Sequence, residues 1–516
     1  MRRFGAARVL AGRDKNLAER TARMNAVAML SLKRLLLLGL LPGWVLGCGS
    51  DTDLCAPGAL QATLDAAQPG EAISVAGCTV DGPLILAPGI SLRGSNLTIR
   101  SLDGIGVVIE GAPGSPLSEL SGVEVEVTGR IGIAIRGATA ELRDVGVRAT
   151  QGVGVAVVDG GSATLRNVEV HGPVTRENAN ALTRVIPVAP APGPCPAAMC
   201  ECEPGQTLGE EVCDASGRPA RVTATYGLYA SGATLDLENV RVKGFAEFGA
   251  AFVNSIVSWD GGSAQDNLGI GIRQAGGSLS LQRVEAEDTL QGLRGAPAIG
   301  IAVTDSTVSI GDIQLRDNDR YGFVGSVVSG EFLGVGAERN GDVGFWLADS
   351  GNVMFRNGRF SDNSFAGLVL HQVRDTELAD SFFDSTLTAQ RSIGVFGMVD
   401  IGDGVHITAP GPGLVLSNVT MENNARAGLV AEEPMGGLTI RDVTVNGTGS
   451  QLGAVSGTRA GAQIVAAGAS LPSVTRLGAT GANDSAFAGM LDAVAEPLPA
   501  MLSNPADLVG LVMPMF

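Results

Sequence analysis

Leu142-Arg-Asp-Val-Gly-Val147 returns as Leu165-Arg-Asn-Val-Glu-Val170 and again as Leu237-Glu-Asn-Val-Arg-Val242. Further copies read Leu281-Gln-Arg-Val-Glu-Ala286, Leu416-Ser-Asn-Val-Thr-Met421 and Ile440-Arg-Asp-Val-Thr-Val445. With the weaker copies included, the third residue of each gives the series Gly122, Asp144, Asn167, Asn239, Gly261, Arg283, Asp312, Gly334, Asn357, Asp380, Asn418 and Asp442. All but two of the successive gaps fall between 22 and 29 residues; the exceptions are 72 and 38. A fixed period of this size is the signature of a solenoid, in which each unit buries its apolar face against the next.

A second motif runs in phase about a dozen residues ahead of the first: a glycine followed by alternating apolar residues. Gly132-Ile-Ala-Ile, Gly227-Leu-Tyr-Ala, Gly300-Ile-Ala-Val, Gly344-Phe-Trp-Leu, Gly367-Leu-Val-Leu and Gly428-Leu-Val-Ala are examples. Each unit therefore holds three short strands, one at the glycine and two flanking the marker residue. The markers are mostly Asn, Asp or Gly, the types that tolerate a left-handed backbone in a tight turn. No unit has room for a crossover helix. The expected architecture is all-β: about twelve coils of a single-stranded parallel β-helix with short helical caps.

At this point the chain resembles the right-handed β-helix repeat proteins that share the pectate-lyase fold, over about Leu84 to Val445. Asp317-Asn318, Asp362-Asn363 and Asn423-Asn424, each just before a glycine strand, carry the resemblance further. It implies a fold, and it leaves function open because one fold hosts many chemistries.

The start of the chain is not fold. Met1 to Arg23 is Arg-rich, and Lys33-Arg34 precedes a leucine-rich run from Leu35 to Leu46. That run is too short to span a bilayer and suits a signal-peptide core. It ends Val45-Leu46-Gly47-Cys48, which resembles the bacterial lipobox with Cys48 as the lipidated residue; an ordinary signal peptide cut near Gly47 is the other reading. Gly49, where an Asp would retain the protein at the inner membrane, leans the resemblance toward the outer membrane, on its periplasmic face or the cell surface. The expected organisation is a leader at 1–47, anchor and N-terminal cap at 48–83, β-helix at 84–450 and a C-terminal cap or tail at 451–516. A short helix at Pro57–Ala67, with Leu60, Leu64 and Ala67 on one face, is expected to cover the first coil, since a bare terminal coil exposes strand edges. A helix starting near Asp484, with Phe487, Met490 and Leu491, is expected to plug the other end.

The whole chain has 36 basic and 53 acidic residues. Removing 1–47 takes away nine basic and two acidic residues, leaving 27 against 51, a net of −24. Such a surface repels nucleic acid and anionic headgroups, so nucleic-acid binding is excluded first. No P-loop, HExxH or GxSxG pattern occurs, so nucleotide binding and serine hydrolysis have no support.

Six cysteines follow Cys48. Cys55 and Cys78 flank the start of the solenoid, while Cys195, Cys200, Cys202 and Cys213 lie in a Pro-rich insertion at 173–222. An even count in an exported chain favours disulfides. Zinc is the alternative for the second group, although the paired CxxC knuckles of a ribbon are missing. A pinned loop on a rigid scaffold suits recognition, or else it is a solvated spacer.

Enzymes of the resembled fold work on the outer face of the glycine strands, where a lyase or hydrolase needs converging carboxylates. The outward columns there read as mainly small and apolar, with one carboxylate: Ala134, Tyr229, Ala251, Gly271, Ala302, Val324, Trp346, Val369 and Val430, then Arg136, Ser231, Arg273, Thr304, Ser326, Ala348, His371 and Glu432. Trp346, one coil from His371, has two readings: an exposed indole that stacks on a sugar ring, with Tyr229 and Arg273 as further ligand contacts, or a side chain packed under a loop. Asp266, Asp317, Asp319 and Asp362 read as turn formers. Asp375, Asp380, Asp384, Asp400, Asp403 and His406 surround irregular coils and are the catalytic candidates under an enzyme reading. No metal site is assigned, and calcium enters only under that reading. Two functions follow: a lipid-anchored binding or structural scaffold for polysaccharide or envelope protein, or a polysaccharide lyase, hydrolase or epimerase.

Overall fold

The computed structural model describes residues 53–175 except 103 and 151, and 226–446 except 293–296, 393–397 and 433–437. It also gives the strand backbone at 207–208, 211–213, 219–221, 464–467, 474–477 and 484–485. Within them the chain is an all-β parallel β-helix of about 13 turns. Each turn carries a first strand before the marker, a second strand after it, and a glycine strand. In one coil these are Thr139–Arg143, Gly146–Ala149 and Val153–Val158, each paired in parallel with its counterpart one coil away.

The twelve markers all adopt positive φ, between 50° and 71°. The chain reverses there through left-handed backbone, which Asn, Asp and Gly enter at least cost; Arg283 does so as well. Side chains in the turn stack along the solenoid, with Asn167 Nδ2 donating to Asp144 Oδ1 at 2.9 Å. On either side, Leu142, Leu165 and Leu237, with Val145, Val168 and Val240, point inward and are fully buried. Aromatic rings continue this stacking inside the later coils. Phe323 lies on Phe345 at 4.2 Å between centroids, and Phe360 on Phe383 at 4.6 Å.

The turn before the glycine strand works differently. Asp266, Asp317 and Asp362 take the positive φ, confirming them as turn formers, while the following Asn267, Asn318 and Asn363 are buried inside. Asn318 Nδ2 donates to Asn340 Oδ1 (2.8 Å), and Asn340 Nδ2 donates to Asn363 Oδ1 (2.9 Å) and to the Leu315 carbonyl (3.1 Å). This amide ladder satisfies backbone groups that would otherwise be buried without partners. Thr289 and Thr386 replace asparagine at the two rungs after which longer connections leave the coil.

Several boundaries differ from the sequence expectation. The first turn starts at Ala72–Ala76, which pairs with the strand from Ser91, so the solenoid begins before Leu84. The 38-residue gap contains a complete coil whose glycine strand is Asp403–Thr408. Parallel pairing continues past 450 through Ile464–Ala467 and Val474–Leu477, and Asp484–Ser485 pairs as a strand where a helix was expected. Phe487, Met490 and Leu491 lie outside the described residues.

The N-terminal cap is as expected: a helix at Ala59–Ala66 buries Leu60 and Leu64 against the first coil. A Cys55–Cys78 disulfide, with Cα atoms 5.9 Å apart, ties it to that coil. Cys48, Cys195, Cys200, Cys202 and the Cys213 side chain lie outside the described residues. Glu211–Cys213 is the middle strand of a small antiparallel sheet within the insertion.

Candidate functional site

Strand register fixes which side chains point away from the core along the glycine ladder. Tyr229, Ala251, Arg273, Ala302, Val324, Trp346, Val369, His406 and Val430 pair in succession as one outward column. Arg273 thus belongs in the first column, where the sequence had placed Gly271, and His406 joins it.

This face is closed. Ala134, Ala251 and Ala302 are wholly inaccessible, and Val324 and Val369 are 1 % exposed. Together with Tyr226, Phe248, Tyr321 and Phe365 they form a second apolar cluster outside the main core. A hairpin of Ala389–Ser392 with Met398–Ile401 contributes Ile401 and Ala389 to it.

The four residues expected to bind a ligand are therefore in a different setting. Trp346 is 5 % exposed, tilted against Tyr321 with centroids 5.7 Å apart, so of its two readings the packed one holds and the open indole does not. Tyr229 is 3 % exposed and burial pushes its hydroxyl pKa up. Arg273 is 2 % exposed, its guanidinium 5.7 Å from the Phe248 ring centroid. Only His371 is half-exposed, its Nδ1 2.8 Å from Thr408 Oγ1. The physical reason is tertiary: Ala and Val of the column pack with Tyr226, Phe248, Tyr321, Phe365 and Ile401 of the hairpin into one apolar layer that excludes water.

The carboxylates expected to gather in the irregular coils lie on separate parts of the coil. Asp375 and Asp380 are exposed at positive φ, Asp380 in the marker turn accepting from Asn418 Nδ2 at 2.7 Å. Asp384 ends a second strand and accepts from Ser385 and Asn423. Asp400 lies in the hairpin strand, its side chain outside the described residues. Among the described residues, no group of three or more His, Cys, Asp or Glu is placed to hold a metal ion.

Asp403 and His406 are brought together, with a partner the sequence reading missed. Both are fully buried on the outer face, and Asp403 Oδ2 lies 2.8 Å from His406 Nδ1. Arg426 Nε donates to Asp403 Oδ1 at 2.8 Å, and its Nη2 contacts Oδ2 closely. Burial alone would raise the Asp403 pKa. The Arg426 charge and the hydrogen bonds from His406 and Arg426 more than offset it and hold the carboxyl below its ordinary value. An ionised carboxylate only accepts, so the His406 proton sits on Nδ1. Arg426 stands 23 residues after Asp403, one repeat length. That spacing was the available signal.

The open surfaces are elsewhere. Around the marker turns, Glu124, Asp144, Asn167, Glu169, Asn239 and Arg241 line a cleft of about 550 Å³. Arg148–Glu124 and Arg241–Glu169 pairs, at 2.9 and 3.1 Å, bridge successive coils across it.

No family model and no curated protein matches this sequence. Among solved structures, the A-module of the Azotobacter vinelandii mannuronan C-5 epimerase AlgE6 is similar at 14 % identity and a TM-score of 0.37, covering 85 % of this chain and 98 % of that one. The periplasmic alginate epimerase AlgG is similar at 9 % identity and 0.30, covering 82 % and 77 %. The pectate lyase Pel9A is similar at 12 % and 0.25, covering 78 % and 71 %. Likeness of this degree assigns no chemistry to this chain.

Proposed function

We propose that the mature chain is an exported, lipid-anchored envelope protein that serves as a rigid β-helical scaffold for binding polysaccharide or another envelope protein. One observation supports this most: the outer face of the glycine ladder is packed shut, with Ala134, Ala251, Ala302, Val324 and Val369 at 0–1 % exposure. A substrate chain needs an open, hydrated groove there, whereas a scaffold gains stiffness from a second packed layer. Binding then falls to the exposed turn faces and to the insertion at 173–222. The anchor is Cys48, and with Gly49 in place of an Asp that would retain it at the inner membrane, the outer membrane is its destination. The test is glycan-array binding by the fragment from Ser50 onward, with and without 173–222. Binding that the deletion abolishes supports the reading, and no retained polysaccharide or envelope protein would contradict it.

A second reading, a carbohydrate-active lyase, hydrolase or epimerase, has one specific observation behind it. Asp403 orients His406 through Nδ1, the arrangement that prepares an imidazole for proton transfer. Turnover abolished by both Asp403→Asn and His406→Gln, with folding intact, would favour it; calcium dependence would extend it to the acidic turns.

A further inference from the structure

Large apolar side chains open to solvent are few among the described residues, and three of them fall within the first coils. Ile85 is 49 % exposed, Leu102 65 % and Leu117 50 %. Strand register places Ile85 on the glycine-ladder face, and Leu102 and Leu117 lie in the connections before and after the next glycine strand. Ile85 pairs with Val108, and Val108 with Ala134, so Ile85 is the first rung of the outward glycine-ladder column. Leu102 lies in the turn leading into the next glycine strand, Ile105–Glu110, and Leu117 lies in the connection leaving it for the strand from Ser118. The apolar face that is covered along the later coils is thus uncovered at its N-terminal end. Other exposed apolar residues, Ile256, Val327, Leu333, Met354 and Leu387, are distributed over later coils.

We propose that this end of the face, with Ile85, Leu102 and Leu117, rests in the interfacial layer of the bilayer that holds the anchor; the inference rests on lipidation of Cys48. The argument for this occupant is chain length. Asp53 is the fifth residue after Cys48, and five residue steps reach at most about 18 Å. The first coils are therefore held within reach of the lipid whatever path the linker takes. The net acidic mature chain gives no attraction to anionic headgroups, so the contact is apolar and suits zwitterionic lipid.

The full acylated chain carrying Leu102→Trp is reconstituted in phosphatidylcholine vesicles with and without brominated acyl chains. The native Trp259 and Trp346 are 1 % and 5 % exposed, and Trp44 precedes the cleavage point. Brominated lipid is expected to cut the added fluorescence at least about twofold, as for a residue in the acyl boundary. Leu117→Trp should behave alike, and Met354→Trp, on a distant coil, should be unquenched. Unquenched Leu102→Trp and Leu117→Trp on a chain whose mass shows diacylated Cys48 would overturn this inference alone. An unmodified Cys48 would overturn the anchor reading and this inference with it. A concentration-dependent blue shift without vesicles would assign the face to a second copy and overturn the bilayer.

Discussion

Replacing Asp403 by Asn removes one charge from a buried group and nothing else of comparable size. Asp403 and His406 are fully buried, and the Arg426 side chain is 13 % exposed. The amide can still accept one hydrogen bond, but it turns an N–H₂ toward the second donor and leaves the guanidinium uncompensated. Breaking a buried pair by deleting one partner costs about 3–5 kcal/mol. The expected loss is about 3 kcal/mol, near the low end, because Arg426 keeps some access to solvent. Urea unfolding at neutral pH reads it directly. The acid limb gives an independent check. The folded pKa of Asp403 is lowered, so its contribution is present above the unfolded value of about 3.9 and disappears as pH falls through the lower folded value. The Asn variant should lack that component, and the two proteins should converge in acid. Equal stability at neutral pH, or a parallel acid limb, would refute the reasoning.

Other substitutions probe the frame. Asn340→Ala deletes two donated and two accepted hydrogen bonds inside the solenoid. A loss of about 3–4 kcal/mol is expected, with hydrogen exchange accelerating first at Asn318 and Asn363. Exposed Asn357→Gly, at φ 55°, should change stability by less than about 0.5 kcal/mol. Val327 is a half-exposed β-branched residue at φ 56°, between Asp305 and Asp349 at the same turn. Val327→Asn should therefore stabilise the fold by about 1 kcal/mol in thermal unfolding. Converting Cys55 and Cys78 to serine opens a link across 23 residues of sequence and should cost about 3 kcal/mol. Limited proteolysis should then cut first near Ala59–Ala66.

The coil repeat was legible because its determinants are local. A turn that needs positive φ selects Asn, Asp or Gly at each marker, and Leu and Val on either side select the core. The coil containing Asp403–Thr408 was missed for the converse reason. Asp403 occupies a position that is apolar or aromatic in the other coils, and His406 one that is mostly Ala or Val, so Gly404-Val405 did not read as a glycine strand. The dipeptide Asp317-Asn318 was visible, yet only three-dimensional register shows that the first residue makes the turn and the second enters the core. Burial of Trp346 and Tyr229 was illegible on physical grounds. An outward column of small apolar residues looks the same in sequence whether water or another layer lies over it. Arg426 and Asp403 meet only because one coil lies on the next.

The central claim is that the glycine ladder is a packed wall, and that any glycan the chain retains stays intact. The most direct measurement is product analysis on each polysaccharide that the array shows bound, incubated with the full chain and calcium. The account predicts unchanged chain length and composition, with no new unsaturated or reducing ends and no inverted uronate. New ends or inversion, lost in Asp403→Asn while binding persists, would contradict it and place chemistry at the buried Asp403–His406 pair.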